Sequence, residues 1–126
     1  MIDHVSVPVR DLAAARDFYT ALLAPLGLKL LVERPHTVGF GKAYPELWLN
    51  HRPALVPIAD SGAHVALRAR SEDIVRAFHA AALAAGGQSD GAPGPRQAAM
   101  TTYYGAFVLD PDLNKIEVVT FPATAD

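Results

Sequence analysis

The chain has 126 residues, 11 of them basic and 13 acidic, with 5 His and no Cys. At 51% hydrophobic and 19% charged it suits one domain with a real core and excludes intrinsic disorder; its formal charge of -2 excludes a strongly basic nucleic-acid binder and gives no pull toward an anionic membrane. Without Cys there is no disulfide, iron–sulfur cluster or thiolate zinc site, so His, Asp and Glu are left to hold any metal.

Met1-Ile2-Asp3-His4 lacks the basic start and apolar run of a signal peptide, and no apolar stretch approaches a membrane span. A cytoplasmic location is the expectation. Ile2 to Val9 alternates, with Val5, Val7 and Val9 on one face and His4, Ser6 and Pro8 on the other, which predicts a strand with one buried face. Asp11 is placed to cap a helix whose stripe is Leu12, Ala15, Phe18, Tyr19, Leu22, Leu23 and Leu26, and Gly27 stops it. Strands follow over Leu28 to Glu33, Thr37 to Gly41 and Glu46 to His51. In the last, Glu46, Trp48 and Asn50 oppose Leu47 and Leu49.

The pattern then restarts. Gly62 to Ala69 reads as a strand, with His64, Ala66 and Arg68 opposite Val65 and Leu67. Ser71 caps a second helix, Glu72 and Asp73 complement its dipole, and its apolar stripe is Ile74, Ala77, Phe78, Ala81 and Ala85. Gln88 to Gln97 is rich in Pro and Gly and predicts a weak strand plus a long loop. Tyr103 to Leu109 is a strand, Asp110-Pro111-Asp112 a turn, and Lys115 to Phe121 the final strand.

Shifting the chain by 60 residues aligns His4 with His64, Val5 with Val65, Arg10 with Arg70, Arg16 with Arg76, Phe18 with Phe78, Leu23 with Leu83 and Gly27 with Gly87. The repeated unit is strand, helix, three strands. Each half has one sheet face for its own helix and a second face that needs a partner, either the other half or another chain.

His4 and His64 sit at repeat-equivalent places, both opposite the stripe that the helix covers. On the final strand Ile116 and Val118 form the covered stripe, so Glu117 faces the other way. His4, His64 and Glu117 are therefore the candidate metal ligands. Two imidazoles and a carboxylate form a facial set for a divalent metal (Fe, Mn, Ni, Co or Zn) with open positions.

These segments carry a resemblance. Ile2-Asp3-His4-Val5, Ala15-Arg16-Asp17-Phe18-Tyr19, Gly62-Ala63-His64-Val65-Ala66, Phe78 to Leu83, and Tyr104 to Asp112 with Asn114-Lys115-Ile116-Glu117 together resemble the vicinal oxygen chelate superfamily of glyoxalases, extradiol dioxygenases and bleomycin resistance proteins. The resemblance implies an α+β fold of two tandem βαβββ modules, about 1–60 and about 61–126 of one domain, forming a curled mixed sheet around a cleft, as a homodimer. It implies His4, His64 and Glu117 as ligands. It also implies that the fourth ligand of glyoxalase I falls on Trp48, which argues against that activity, unless Glu46 reaches the place by a register shift. Where the family turn has Gly, this chain has Leu113, and Asn114 is the expected left-handed residue.

Trp48, Asn50, Tyr104, Arg68 and Arg96 are the candidate substrate-binding residues. Trp48 offers a flat wall, Tyr104 is preferred over Tyr103, and the loop from Gly91 to Thr102, with Arg96, is a candidate lid. Two functions follow. One is a divalent-metal-dependent lyase, isomerase or dioxygenase that chelates vicinal oxygens of a small molecule. The alternative is a metal-free protein that sequesters a small molecule in the manner of bleomycin resistance proteins.

Overall fold

The computed structural model describes residues 1–122. In chain order it comprises β1 (Val5–Val9), α1 (Leu12–Leu23), a 3-10 turn (Ala24–Leu26), β2 (Lys29–Glu33), β3 (Thr37–Gly41), β4 (Pro45–His51), β5 (His64–Arg68), α2 (Glu72–Ala84), β6 (Gln88–Gln97), β7 (Thr102–Leu109) and β8 (Lys115–Thr120). This is the βαβββ unit twice. Each half forms its own four-stranded mixed sheet, ordered β1-β4-β3-β2 and β5-β8-β7-β6. β1 runs parallel to β4 and β5 parallel to β8, while the remaining pairs are antiparallel. The two sheets are not joined into a closed barrel. Among the described residues no helix is long and apolar enough to cross a membrane.

Local chemistry explains the element ends. The Asp11 carboxylate accepts from the Ala14 amide at 3.0 Å, and the Ser71 hydroxyl accepts from the Ile74 amide at 3.2 Å, so each helix has an N-cap. Gly27 ends the first helical run with φ +75, a conformation that suits Gly. The stripe of α1 is buried as its spacing predicts, with Tyr19, Leu22 and Leu23 fully covered.

Helix α2 differs from expectation. Its buried face is Val75, Phe78 and Ala82, whereas Ala77 and Ala85 are exposed. In a run this rich in Ala, adjacent stripes are nearly equal in hydrophobicity, and the bulk of Val75 decides which one packs. The buried apolar side chains of both halves form one cluster, from Val7 and Tyr19 to Phe78 and Val118.

A polar knot ties the halves together. Tyr19 donates to Asp110 Oδ2 at 2.5 Å, and Asp110 Oδ1 accepts from the amides of Asp112 and Asn114. Asn114 Nδ2 also donates to the Pro8 carbonyl at 2.8 Å, and Arg10 donates to Asp112 Oδ1 at 2.7 Å. The turn itself corrects an expectation. Leu113, not Asn114, takes the left-handed conformation, at φ +67. Asn114 is committed to Asp110 and Pro8 instead, so the strain falls on its neighbour.

The segment after α2 is also more ordered than its composition suggests. β6 pairs with β7 from Gln88 through Gln97, with register shifts around Gly91, and only the stretch between Gln97 and Thr102 turns. Residues 91–97 are thus sheet edge rather than a lid. The shift between Gly91 and Gly94 absorbs Pro93, and Pro95, in register with Tyr104, is tolerated because β6 is the edge strand of its sheet.

Candidate functional site

The parallel pair β5–β8 sets His64 beside Lys115 and Ala66 beside Glu117, and the antiparallel pair β7–β8 sets Phe107 beside Glu117. Side chains of the same parity share one sheet face, here the face away from α2. Glu117 is only 5% exposed there, yet both of its oxygens are engaged. Tyr103 donates its hydroxyl to Oε2 at 2.6 Å, and His64 Nε2 stands 3.2 Å from Oε1. The carboxylate beside it pushes the Tyr103 hydroxyl pKa up, because ionising the donor would sacrifice that bond.

Tyr103 reaches Glu117 by crossing Gly105. A Cβ on Gly105 would meet the Tyr103 ring at 2.9 Å and the Val118 carbonyl at 2.8 Å, so a larger residue there displaces the ring. This corrects the preference for Tyr104. Tyr104 lies on the helix side, where its hydroxyl accepts from Arg76 of α2 at 3.0 Å and the Arg76 guanidinium lies 5.6 Å from its ring. Parity was available in the sequence, since Ala106 and Val108 belong to the covered stripe and Tyr104 shares their parity. Phe107 between them is also apolar, which blurs the alternation and hides Tyr103 and Phe107 as cleft residues.

His4 does not join this pair. It precedes β1, its side chain is 53% exposed, and its Nδ1 is 2.7 Å from Asp3 Oδ1. Among the described residues no three His, Asp or Glu side chains converge as a metal-binding group. One chain therefore supplies two fitting donors, His64 and Glu117, and His4 remains apart from them.

The first sheet places the other candidates. Trp48 pairs with Ser6 across β1–β4, as Glu117 pairs with Ala66 across β5–β8, so Trp48 holds the position of the carboxylate in the first half. Glu46 lies two residues earlier and is exposed. The Trp48 ring rests on Gly39, where a Cβ would approach it to 2.9 Å, and the Arg34 guanidinium lies 5.9 Å from the ring centre. Asn50 shares the parity of Trp48, and its Oδ1 accepts from the Thr37 hydroxyl at 2.9 Å.

Two arginines flank the second sheet. Arg68 lies 5.0 Å above Phe121, which packs against Tyr103 at 5.7 Å, and Arg96 lies 5.9 Å above Phe107. Lys115 lies 4.6 Å from Phe107 and pairs with Asp90 at 3.0 Å. His64 meets Phe107 edge to face at 5.9 Å. Beside His64, a hollow of about 320 Å³ opens between the linker at Asp60 and Ser61 and the pair Asp90–Lys115.

The family model of the glyoxalase/bleomycin resistance protein/dioxygenase superfamily matches residues 1–118. The chain belongs to this superfamily. A glyoxalase/bleomycin resistance protein from Albidiferax ferrireducens T118 is 31% identical, with a TM-score of 0.83 over 93% of this chain and 96% of that one. The fosfomycin resistance protein FosX from Listeria monocytogenes shares the fold at 16% identity, with a TM-score of 0.68 over 94% of this chain and 91% of that one. So does a bleomycin-binding protein solved with bleomycin, at 21% identity and a TM-score of 0.61 over 93% of this chain and 95% of that one. No curated protein matches the chain. Superfamily membership accounts for the repeated βαβββ unit, while the pair His64–Glu117 and the replacement by Trp48 are features read from this chain.

Proposed function

We propose that this superfamily member is a divalent-metal-dependent enzyme acting on a small molecule. The observation that carries the reading is the buried Glu117 carboxylate with the His64 imidazole 3.2 Å away, on an open sheet face. Desolvating a carboxylate in an apolar wall is costly unless it is paired, and an imidazole beside a carboxylate is a donor set that suits a hard or borderline cation. His4 of a second copy would supply the third ligand, with the cleft completed across a homodimer. A metal held there supplies Lewis acidity toward two neighbouring substrate oxygens. The chain's own residues do the rest. Tyr103 holds the outer carboxylate oxygen so that Glu117 presents Oε1, Trp48 forms a flat wall, and Asn50, Arg68 and Arg96 bind substrate. The lyase, isomerase and dioxygenase outcomes share this frame. The absence of an acid at Trp48 argues against glyoxalase I activity.

Metal content of the purified protein tests this reading. Bound metal lost in both His64→Ala and Glu117→Ala is the expected result, and undiminished metal binding in both variants overturns it.

A second reading has its own observation. Trp48 with its stacked Arg34 puts an aromatic plate where a ligand carboxylate would stand, which suits sequestration of a flat molecule without metal. Quenching of Trp48 fluorescence by bleomycin that persists in EDTA supports that reading, and quenching that vanishes with the metal removes it.

A further inference from the structure

The two repeat-related histidines are held by different means. His64 lies within β5, in register with Lys115, and its Nε2 stands 3.2 Å from Glu117 Oε1. Ala63 precedes it and offers no polar side chain. His4 precedes β1, so no strand pairing fixes it. In the place of Ala63 the 60-residue repeat sets Asp3.

Asp3 gathers two donors on one oxygen. His4 Nδ1 lies 2.7 Å from Oδ1, and the Tyr44 hydroxyl lies 2.9 Å from the same atom. An ionised carboxylate only accepts, so both contacts are donated to it. The His4 proton therefore sits on Nδ1, which leaves the lone pair on Nε2. Tyr44 stands in the turn between β3 and β4, just before Pro45. A Cβ on Gly41 would run into the Tyr44 carbonyl, so Gly41 is what lets that turn close. The Tyr44 residue is 55% exposed, and packing does not account for where its ring lies. Its hydroxyl reaches across to the segment before β1 and steadies Asp3 from the side away from His4.

Exposed pairs of this kind contribute little to folding. A carboxylate on one nitrogen of an imidazole has a chemical effect instead. It fixes the ring's tautomer and orientation and makes the other nitrogen a better donor toward a cation. We propose that Asp3 and Tyr44 are positioning residues for His4, an outer pair that presents Nε2 to a divalent cation. This deepens the reading above and rests on it, since there His4 supplies the third ligand.

Zn(II) titration of the intact metal-free chain tests the inference. Asp3→Ala is expected to weaken binding about 10–100-fold. Tyr44→Phe weakens it less, because it acts through Asp3. Asp3→Asn keeps an acceptor at the same place and recovers part of the affinity. Neither Asp3→Ala nor Tyr44→Phe lowers the Tm of the metal-free chain, since both side chains are open to solvent. Long-range proton–nitrogen spectra, taken above the pH range in which imidazole titrates, read the second effect. The parent shows His4 protonated on Nδ1 alone, and Asp3→Ala shows a mixture of tautomers. Unaltered Zn(II) affinity in Asp3→Ala, or a His4 tautomer that is the same with and without Asp3, overturns the inference. Weaker binding and a mixed tautomer in Asp3→Ala, with undiminished binding in His64→Ala and Glu117→Ala, uphold it and remove the site built on Glu117. Metal lost in His64→Ala and Glu117→Ala but undisturbed in Asp3→Ala does the reverse. A parent chain that binds no Zn(II) overturns both.

Discussion

Trp48 and Glu117 occupy the same register position in the two sheets, opposite Ser6 and Ala66, which the 60-residue repeat makes equivalent. The two halves have therefore diverged at this point, one keeping a carboxylate and the other an indole. Trp48→Glu restores an acid on the first sheet, and the space over Gly39 accommodates the smaller side chain. Loss of an outer-shell partner alone changes metal affinity by about 10–100-fold, so an added ligand is expected to raise it by at least about tenfold. Titration of the apoprotein with Mn(II) or Zn(II) checks this. Unchanged affinity means that position 48 does not face the metal.

Tyr103 is expected to act on Glu117 in two measurable ways. Tyr103→Phe leaves Glu117 Oε2 without its donor in a largely covered place. An unsatisfied buried acceptor costs about 1–3 kcal/mol and a charged one more, while the partial exposure of Tyr103 reduces the loss toward the lower end of that range. Urea unfolding of the metal-free protein reads that loss. The metal affinity falls as well, because the carboxylate is no longer held in one orientation. A stability loss with unaltered metal affinity would reduce Tyr103 to a structural residue.

Asp110 gives the protein a component of its acid-side stability. Burial pushes its carboxyl above the ordinary value, against hydrogen bonds from Tyr19 and Asn114 and from the amides of Asn114 and Asp112 that pull it down. The folded state therefore holds the proton more tightly than the unfolded chain. By linkage, this contribution is full below the unfolded carboxylate pKa of about 3.9 and is lost as pH rises through the raised folded value. Asp110→Asn cannot titrate. The stability of the parent protein relative to this variant is expected to fall with rising pH on the acid side, as read by denaturant unfolding across a pH series. A difference that does not vary with pH contradicts it.

Leu113 stores strain in the same turn. A left-handed conformation costs a non-glycine residue about 1–2 kcal/mol. Glycine relieves that cost but loses about 0.5–1 kcal/mol of backbone entropy on folding. Leu113→Gly is thus expected to stabilise the protein by up to about 1 kcal/mol, visible as a higher Tm. A lower Tm means that the partly buried Leu side chain contributes more packing than its backbone loses.

The sequence was most legible where two independent signals coincided. The repeat and the alternation of Val5, Val7 and Val9 both pointed to paired modules, and the caps at Asp11 and Ser71 marked both helix starts. It was least legible where adjacent residues had similar chemistry. Tyr103 and Tyr104 differ only in parity, and Phe107 sits between two apolar neighbours that face the other way. In α2, alanines on both candidate faces left one Val to decide the packing. β6 was hidden because Pro and Gly usually mark loops, and its register shifts come from tertiary pairing with β7. The separation of His4 from Glu117 depends on how the two modules sit relative to each other, and no local pattern encodes that.

A composite site has a signature that a single-chain site lacks. If His4 of one copy completes the His64–Glu117 pair of another, His4→Ala and Glu117→Ala each remove a ligand from both clefts of a homodimer. Unfolding and refolding a mixture of the two variants produces heterodimers. In these, one cleft carries both substitutions and the other carries neither. Metal binding is therefore expected to reappear in the mixture although neither variant binds alone. If each chain instead gathered its own ligands, every site in the mixture would still lack one, and refolding together would restore nothing. His4→Ala mixed with His64→Ala serves as a second pair, because His64 and Glu117 come from the same sheet. His64→Ala mixed with Glu117→Ala is the negative control for the same reason. Each heterodimer cleft there keeps one defective sheet, and no recovery is expected.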